Sequence, residues 1–292
     1  MKPPPFDYHA PRTLEEALGL LAALGNAKLL AGGQSLMPML NMRFVQPDHV
    51  VDLNRVAGLA GIAVEGGALV VGAMARQRDI ELSPDVRQAV PLLGDALAHV
   101  GHIQTRNRGT LGGSLCHLDP AAELPAVAMA QDAVIEVAGP RGRRSLAMAD
   151  FPAFYMTPAI EPDEIVVAVR FPLWPAGHGH AFEEFARRHG DFALAAAGVL
   201  VARAADGTIA RAAVVVAGLG AAPLRLAEAE ALLTGARPEP ERLSRVAALC
   251  LSLEANGDIH ASADYRRHLA ATLTARALAR ALGDGREAGR AA

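Results

Sequence analysis

Apolar residues recur at helical spacing in several parts of the chain. One series follows Thr13, which forms a capping box with Glu16, and Gly25-Asn26 closes the helix that this series predicts. Ser83-Pro84 begins another helix in the order of cap and then proline. By this pattern, the helices are predicted over residues 14–24, 84–99, 120–129, 224–233, 241–254 and 265–282, with a short one beginning at Leu36 behind Ser35.

Shorter apolar runs predict β-strands between these helices. A hairpin is expected over residues 62–72, where Glu65-Gly66-Gly67 supplies the turn, and Asp206-Gly207 joins two later strands in the same way. The remaining strands are predicted over residues 28–31, 50–53, 133–137, 165–171, 181–187, 193–203 and 209–218. This mixture of local elements predicts an α+β fold.

Prolines and glycines between residues 172 and 179 interrupt both patterns and predict a domain boundary. We place the domains at residues 1–177 and 178–292. The second domain is expected to contain a small antiparallel sheet with helices on one side. Its polar, glycine-rich tail from residue 283 onward is predicted to be frayed.

Composition narrows the class of protein. The chain has 292 residues, of which 51% are hydrophobic, so it can bury a large core. The net charge of −3 gives no electrostatic basis for binding nucleic acid or an anionic membrane. No run approaches the roughly 20 apolar residues of a membrane-spanning helix, and no signal peptide is recognisable. Cys116 and Cys250 are too few for a disulfide framework, so a cytoplasmic location is expected.

Two glycine pairs are the strongest chemical signal. The first glycine motif is Ala31-Gly32-Gly33-Gln34-Ser35-Leu36, and the second glycine motif is Thr110-Leu111-Gly112-Gly113-Ser114-Leu115. Glycine permits positive φ and close approach, so such loops can present backbone N–H groups to an anion. A single pair would be explained best by a tight turn. Two of them in one chain predict that a dinucleotide is held from both sides.

Neither motif belongs to a standard nucleotide-binding fold. The spacing G-x-G-x-x-G of the Rossmann fold is absent, and the chain contains no Gly-Lys pair for a Walker A loop. Histidines near Cys116 do not have the spacing of a zinc site. Helix capping explains Asp119 and Glu123 better than an acid–base pair does. We therefore predict no catalytic residue and no metal site in this chain.

Longer segments around the two motifs resemble the FAD-binding subunits of the xanthine dehydrogenase family, especially the medium-chain flavoproteins of enzymes of the carbon monoxide dehydrogenase type. The resemblance begins with the first glycine motif followed by Met37-Pro38. It continues through the second glycine motif as far as Pro125, and then through Pro162-Asp163-Glu164-Ile165 and Arg187-Arg188-His189-Gly190-Asp191-Phe192-Ala193. These segments occur in the family's order and span nearly the whole chain.

The resemblance implies a two-subdomain FAD-binding region of the PCMH type, with subdomains at about 1–57 and 58–177, followed by a C-terminal flavoprotein domain. It also implies non-covalent FAD, with the pyrophosphate between the two motifs. Gln34 stands where some members have histidine, and Glu123 where many have aspartate. The residues expected to bind the cofactor are Lys28, Ala31, Gly32, Gly33, Gln34, Ser35, Leu36, Thr110, Leu111, Gly112, Gly113, Ser114, Glu123, Ile165 and Arg187.

The function implied is electron transfer within a heteromeric molybdenum hydroxylase. A large subunit with the molybdenum cofactor and a small subunit with two [2Fe–2S] clusters are the implied partners, assembled as a dimer of heterotrimers. Two alternatives stay open at this point. One is a stand-alone FAD-dependent oxidase or dehydrogenase, and the other is a non-enzymatic nucleotide-binding module. Neither the substrate nor the final electron acceptor follows from the sequence.

Overall fold

A computed structural model of the protein describes residues 1–283, and the predicted frayed tail lies outside the described residues except for Gly283. The helices are α1 (Leu14–Ala23), α2 (Leu36–Asn41), α3 (Gln77–Leu82), α4 (Pro84–Ala89), α5 (Pro91–Leu97), α6 (Ile103–Arg108), α7 (Leu111–His117), α8 (Glu123–Ala130), α9 (Ala227–Leu233), α10 (Pro240–Ala248) and α11 (Ala263–Leu282). The strands are β1 (Asp7–His9), β2 (Ala27–Leu30), β3 (His49–Asp52), β4 (Ile62–Glu65), β5 (Ala68–Gly72), β6 (Val134–Gly139), β7 (Gly142–Ala147), β8 (Pro152–Phe154), β9 (Thr157–Pro158), β10 (Ile165–Pro172), β11 (Gly179–Ala186), β12 (Ala193–Arg203), β13 (Ile209–Ala217) and β14 (Leu224–Arg225).

The first sheet is parallel and has the order β1-β3-β2. Leu30 at the end of β2 is the partner of Asp52 at the end of β3. Because parallel strands end at the same edge, the residues that follow β2 and β3 lie side by side. The first glycine motif follows β2, so this edge of the sheet brings residues 52–54 next to it.

The second sheet is antiparallel, with the order β4-β5-β10-β6-β7. The predicted hairpin is confirmed, and Gly66 and Gly67 adopt positive φ angles of 56° and 73° in its turn. Strand β7 was not predicted because its residues are almost all exposed and lack alternating apolar positions. A small β8–β9 pair packs near α7.

The third sheet, of order β11-β12-β13-β14, is antiparallel and confirms the sheet predicted for the C-terminal part. One face packs against α11 and the helices before it. The other face packs against α5 and α8, so Leu200 and Val215 join a core that continues into the N-terminal part of the chain. Burial of both faces explains why β12 is apolar along nearly its whole length.

Several predicted helix boundaries are wrong for identifiable reasons. The helix over 84–99 is broken at Val90, since Pro91 forces its predecessor out of the helical region, to φ −139° and ψ 66°. The helix predicted from Pro120 begins at Glu123, because Asp119 instead accepts a hydrogen bond from the N–H of Ala121 at 2.9 Å. Other short helices were not predicted at all: α3, α6 and α7. None of the helices within residues 1–283 has both the length and the apolar character needed to cross a membrane.

Candidate functional site

The first glycine motif forms an open loop between β2 and α2. Gly33 has a φ of 74°, in the left-handed region that favours glycine. Within the described part of the chain, no acceptor takes up the backbone N–H groups of residues 32–36. Five successive unused donors in one turn make the loop suited to bind an anion. Helix α2 begins at Leu36 as predicted, although the Ser35 side chain makes no capping hydrogen bond.

This loop forms one wall of a cavity of about 370 Å³, which we call the cradle. Four predicted residues line it: Ala31, Gly32, Gly33 and Gln34. The other lining residues were not predicted to bind the cofactor, although Met37 and Pro38 belong to the segment that carries the resemblance. They are Leu30, Met37, Pro38, Asn41, Asp52, Asn54 and Arg108. Arg108 is exposed and supplies a positive charge to the cradle.

The second glycine motif is not a loop but the beginning of α7. The hydroxyl of Thr110 caps the helix by accepting a hydrogen bond from the N–H of Gly113 at 3.1 Å. The N–H of Leu111 donates to the carbonyl of Ala75 at 3.2 Å, and the N–H of Gly112 to that of Ala73 at 2.8 Å. The expectation of positive φ at Gly113 is wrong, because this glycine is helical. The N–H groups of residues 111–113, at the start of α7, therefore already have acceptors within the protein.

The two motifs nevertheless lie against each other, as the sequence predicted. A Cβ atom placed on Gly32 would lie 2.3 Å from the carbonyl oxygen of Arg108 and 2.7 Å from the Cα of Gly109. A Cβ on Gly113 would lie 3.4 Å from that of Ala31. Glycine is required at position 32 because the backbone of residue 32 packs directly against that of Arg108 and Gly109, which leaves no room for a side chain.

A polar network holds this junction together. The Arg76 guanidinium donates to the carbonyl of Arg108 and to the side-chain oxygen of Asn54, both at 2.5 Å. Asn54 donates in turn to the carbonyl of Ala31 at 2.9 Å, and its own N–H donates to Asp52 at 2.8 Å. Burial and the nearby Arg108 charge lower the pKa of Arg76. The position of Asn54 beyond a parallel strand was the signal that could have identified it.

A larger cavity of about 540 Å³ lies where the C-terminal sheet meets the loop after α7. It contains one predicted residue, Arg187, which forms an ion pair with Asp191 at 3.5 Å. Exposed aromatic side chains of Tyr155 and Phe192 stand in its lining. The other lining residues are Asp119, Pro120, Ala121, Gly190, Ala193, Leu194, Gly218, Leu219, Gly220, Asn256, Gly257, Asp258, His260 and Arg266.

The remaining predicted residues line neither cavity. Lys28 is exposed on β2, and Ile165 is buried in β10. Glu123 is buried at the start of α8. The others lie in or beside the two motifs: Ser35, Leu36, Thr110, Leu111, Gly112, Gly113 and Ser114.

Two carboxyl groups have raised pKa values, that of the buried Glu123 at the start of α8 and that of the half-buried Glu184 on β11. Burial raises the pKa of Glu123 to about 7, and the acidic side chain of Asp119 adds to the effect. Burial, with a further contribution from Glu123, raises the pKa of Glu184 on β11 to about 8. One Glu184 oxygen is buried without a hydrogen-bond partner among the described residues. The surroundings of both side chains therefore favour their neutral forms.

The cysteines do not form a redox or metal centre in the described structure. Burial raises the pKa of the Cys116 thiol to about 12, and Cys250 is fully buried. Within residues 1–283, no three His, Cys, Asp or Glu side chains are grouped in a way that would hold a metal ion.

Comparison with known families matches both parts of the chain. Residues 4–174 match the FAD binding domain in molybdopterin dehydrogenase. Residues 180–281 match the CO dehydrogenase flavoprotein C-terminal domain. Together the two matches cover nearly all of the chain.

Individual relatives match over similar lengths. The chain is 40% identical over 284 residues to the 6-hydroxypseudooxynicotine dehydrogenase complex subunit alpha of Paenarthrobacter nicotinovorans, covering 97% of this chain and 96% of that protein. It is 38% identical to the carbon monoxide dehydrogenase medium chain of Hydrogenophaga pseudoflava, covering 95% and 97% of the two chains.

A solved structure agrees with these matches. Carbon monoxide dehydrogenase from Hydrogenophaga pseudoflava, in a form that lacks the Mo-pyranopterin moiety of the molybdenum cofactor, superimposes with a TM-score of 0.94 over 97% of this chain and 99% of that chain, at 38% identity. The predicted α+β architecture is thereby confirmed. The chain belongs to the family of FAD-binding oxidoreductase subunits of molybdenum hydroxylases of the carbon monoxide dehydrogenase type.

Proposed function

We propose that this chain binds one FAD without a covalent bond and passes electrons from the [2Fe–2S] clusters of a partner subunit to a final acceptor. The observation that carries the proposal is the first glycine motif, where the N–H groups of residues 32–36 are unused beside Gly33 at positive φ. Phosphate oxygens are the acceptors that such a loop suits.

The residues of the cradle fit the pyrophosphate of FAD. Any side chain at Gly32 would fill the space against Arg108 and Gly109. The guanidinium of Arg108 adds a positive charge, while hydrogen bonds from Tyr8 and Asn54 occupy the carboxylate of Asp52. The second glycine motif contributes shape rather than N–H donors, because its small residues let α7 approach the loop.

We propose that the flavin ring lies in the larger cavity, near Arg187. Helix α7 begins against the cradle and leads to Asp119, which lines the larger cavity. Its seven residues span about 10 Å at 1.5 Å per residue, a length that an extended dinucleotide can cover. When bound, the flavin supplies one-electron and two-electron chemistry. This chain's residues bind it and orient it.

Other parts of the proposal rest on family resemblance. Lys28, Glu123 and Ile165 are proposed contacts of the cofactor on that basis. We also propose the domain division at residue 177, a cytoplasmic location and an assembly with a large molybdenum subunit and a small iron–sulfur subunit as a dimer of heterotrimers. Names of relatives such as "medium chain" and "complex subunit alpha" support a multisubunit enzyme.

The first experiment measures FAD on the purified chain. We expect about one FAD per chain and complete release on acid precipitation, with the absorbance spectrum of oxidised flavin before release. A colourless protein that takes up no FAD would favour the non-enzymatic module. Flavin that stays with the precipitate would contradict non-covalent binding.

The second experiment separates an electron-transfer subunit from a stand-alone oxidase. The FAD-loaded chain is mixed by stopped flow with candidate organic substrates, first alone and then with the molybdenum and iron–sulfur subunits. We expect dithionite to reduce the flavin in both cases, and substrate to reduce it only in the assembly. Rapid bleaching by a substrate in the absence of partners would support the stand-alone enzyme.

A further inference from the structure

Arg266 on α11 joins the walls of the larger cavity. Its guanidinium donates to the carbonyl of Leu194 at 2.7 Å, to the carbonyl of Gly218 at 2.9 Å and to the carboxylate of Asp258 at 2.6 Å. All three acceptor residues line the cavity, as Arg266 itself does. One side chain therefore fixes the start of β12, the end of β13 and the loop before α11 with respect to one another.

The two charged side chains of this junction, Arg266 and Asp258, differ in their exposure to water. The Arg266 side chain is 9% exposed, whereas that of its partner Asp258 is 47% exposed. Asp258 also accepts hydrogen bonds from the N–H groups of His260 and Ala261. The Nε–H of Arg266 is buried and has no acceptor among the described residues. Water screens exposed charges more than buried ones, so the charge of Asp258 is screened more than that of the guanidinium with which it pairs.

The other charged groups of the cavity are more accessible to water. Arg187 is exposed and paired with Asp191, and Asp119 is only partly buried. Their contributions are therefore weakened by solvent. The cavity lining contains two arginines, Arg187 and Arg266, and three aspartates, Asp119, Asp191 and Asp258, and among these five residues Arg266 alone is buried. Its guanidinium is therefore the least screened charge of the lining, and it stabilises a ligand that gains negative charge when it accepts electrons.

We propose that Arg266 is a positioning residue of the flavin site, which holds the cavity walls in place and favours the reduced state of the bound flavin. This inference rests on the proposed function, since it requires the flavin ring to occupy the larger cavity. Charge near the ring is a general means by which proteins tune a flavin.

The test compares Arg266→Gln with Arg267→Gln. Arg267 is the next residue on α11, pairs with Asp264 and donates to one carbonyl, that of Leu253, but does not line the cavity. Each FAD-loaded variant is equilibrated with a reference redox dye, and the ratio of reduced to oxidised flavin is read from absorbance. We expect this ratio to fall about tenfold for Arg266→Gln, in line with loss of a buried unit charge, and to stay unchanged for Arg267→Gln.

Asp258→Asn provides a test of opposite sign. The amide oxygen can still accept the hydrogen bonds from His260 and Ala261 at the Oδ1 position. The negative charge is removed and the side-chain NH2 replaces Oδ2 opposite Arg266, whose guanidinium keeps the carbonyls of Leu194 and Gly218 as acceptors. We expect the ratio of reduced to oxidised flavin to rise. A purely structural role would not produce opposite changes in the two variants. If Arg266→Gln does not fold, Asp258→Asn still decides, together with Arg266→Lys, which retains the charge and should change the ratio less than threefold.

Two kinds of failure are distinguishable. An unmodified chain that binds no FAD would overturn the proposed function. A chain that binds FAD normally, but whose reduced-to-oxidised ratio is the same in Arg266→Gln and Arg267→Gln or does not rise in Asp258→Asn, would overturn the role of Arg266 alone.

Discussion

The two glycine motifs share a Gly-Gly pair followed by a polar residue, yet their backbone N–H groups differ in hydrogen bonding. In the first motif, the N–H groups of residues 32–36 have no acceptor within the described chain, and Gly33 has positive φ. In the second, Thr110 and the carbonyls of Ala73 and Ala75 accept every N–H of residues 111–113. The capacity to bind an anion therefore depends on unused donors rather than on glycine content.

The difference arises outside the glycines. Thr110 precedes the second glycine pair and caps α7. The carbonyls of Ala73 and Ala75, which follow β5, lie close enough to accept from the first N–H groups of that helix. The first pair has no such cap, because the Ser35 hydroxyl makes no capping bond. The second motif thus provides a packing surface for the first.

The largest effect should follow Gly32→Val. The new Cβ would overlap the backbone of Arg108 and Gly109, so the two motifs must separate. Overpacking of this kind costs about 1–3 kcal/mol, and the same free energy lost from binding is about 5- to 150-fold in affinity. Thermal unfolding and FAD titration measure the two effects.

The control for that variant is Gly19→Ala. Gly19 lies within α1, and a Cβ there meets nothing within 4 Å. Alanine should stabilise the helix by about 0.5–1 kcal/mol and leave FAD affinity unchanged. Unimpaired FAD binding by Gly32→Val would contradict the proposal that the first glycine motif holds the pyrophosphate.

The region after the second motif should also differ in its response to pH. The pKa values of Glu123 and Glu184 are raised above 4.5, so the folded chain holds protons that the unfolded chain releases. The free energy of unfolding should therefore fall as pH rises from about 5 to about 8. Glu184→Gln should remove about 2 kcal/mol of this fall, which is less than the full shift would give because the side chain is only half-buried. Urea unfolding of the apoprotein at several pH values measures it. An unchanged slope would contradict a raised pKa of Glu184.

Gly33→Ala and Gly113→Ala compare the motifs directly. Alanine at position 33 must either keep a left-handed φ, at a cost of about 1–2 kcal/mol, or leave the loop conformation that binds phosphate. We expect FAD affinity to fall about tenfold. Alanine at position 113 is compatible with helical φ and crowds only the Thr110 hydroxyl, at 2.8 Å, so the loss should be less than about threefold. Equal losses of FAD affinity in the two variants would contradict the proposal that only the first motif binds the phosphate groups.

The smallest effect should follow Thr110→Val. This substitution keeps the side-chain shape and removes the cap of α7, which should cost about 1 kcal/mol of stability. FAD affinity should change by less than about twofold, because the freed N–H of Gly113 lies in the packing surface. Thr110→Ser restores the hydroxyl and should recover the stability. A large loss of FAD affinity in Thr110→Val at normal stability would show that the second motif binds the cofactor directly.

Local sequence was sufficient where one residue decides the local geometry. The capping hydrogen bond from Glu16 to Thr13 and the Gly66-Gly67 turn were both predicted correctly. Prediction failed where a local signal had a second interpretation. Pro91 breaks the helix predicted over residues 84–99. The Gly112-Gly113 pair lies in a helix, although its tolerance of positive φ and of close backbone approach predicts a loop.

The residues of the candidate site divide in the same way, into those with a local signal in the sequence and those without one. The residues of the first glycine motif could be predicted, since its glycines and its position after a strand are local features. Arg76 and Arg108 could not, because they act through partners more than 20 residues away in the chain. Arg266 was missed for the same reason, since its acceptors lie on segments that only the fold brings together. Asn54 was missed although its position directly after a predicted strand is a local signal.

By itself, the sequence determined the α+β class, the two glycine motifs and, through their order, the resemblance to a family of FAD-binding subunits. Tertiary structure decided which motif keeps its N–H groups free, which arginines surround each cavity and which carboxyl groups stay neutral. The physical reason is that hydrogen-bond donors, charges and desolvation depend on what lies nearby in space. Chain-local signals such as caps, turns and apolar periodicity depend only on what lies nearby in sequence.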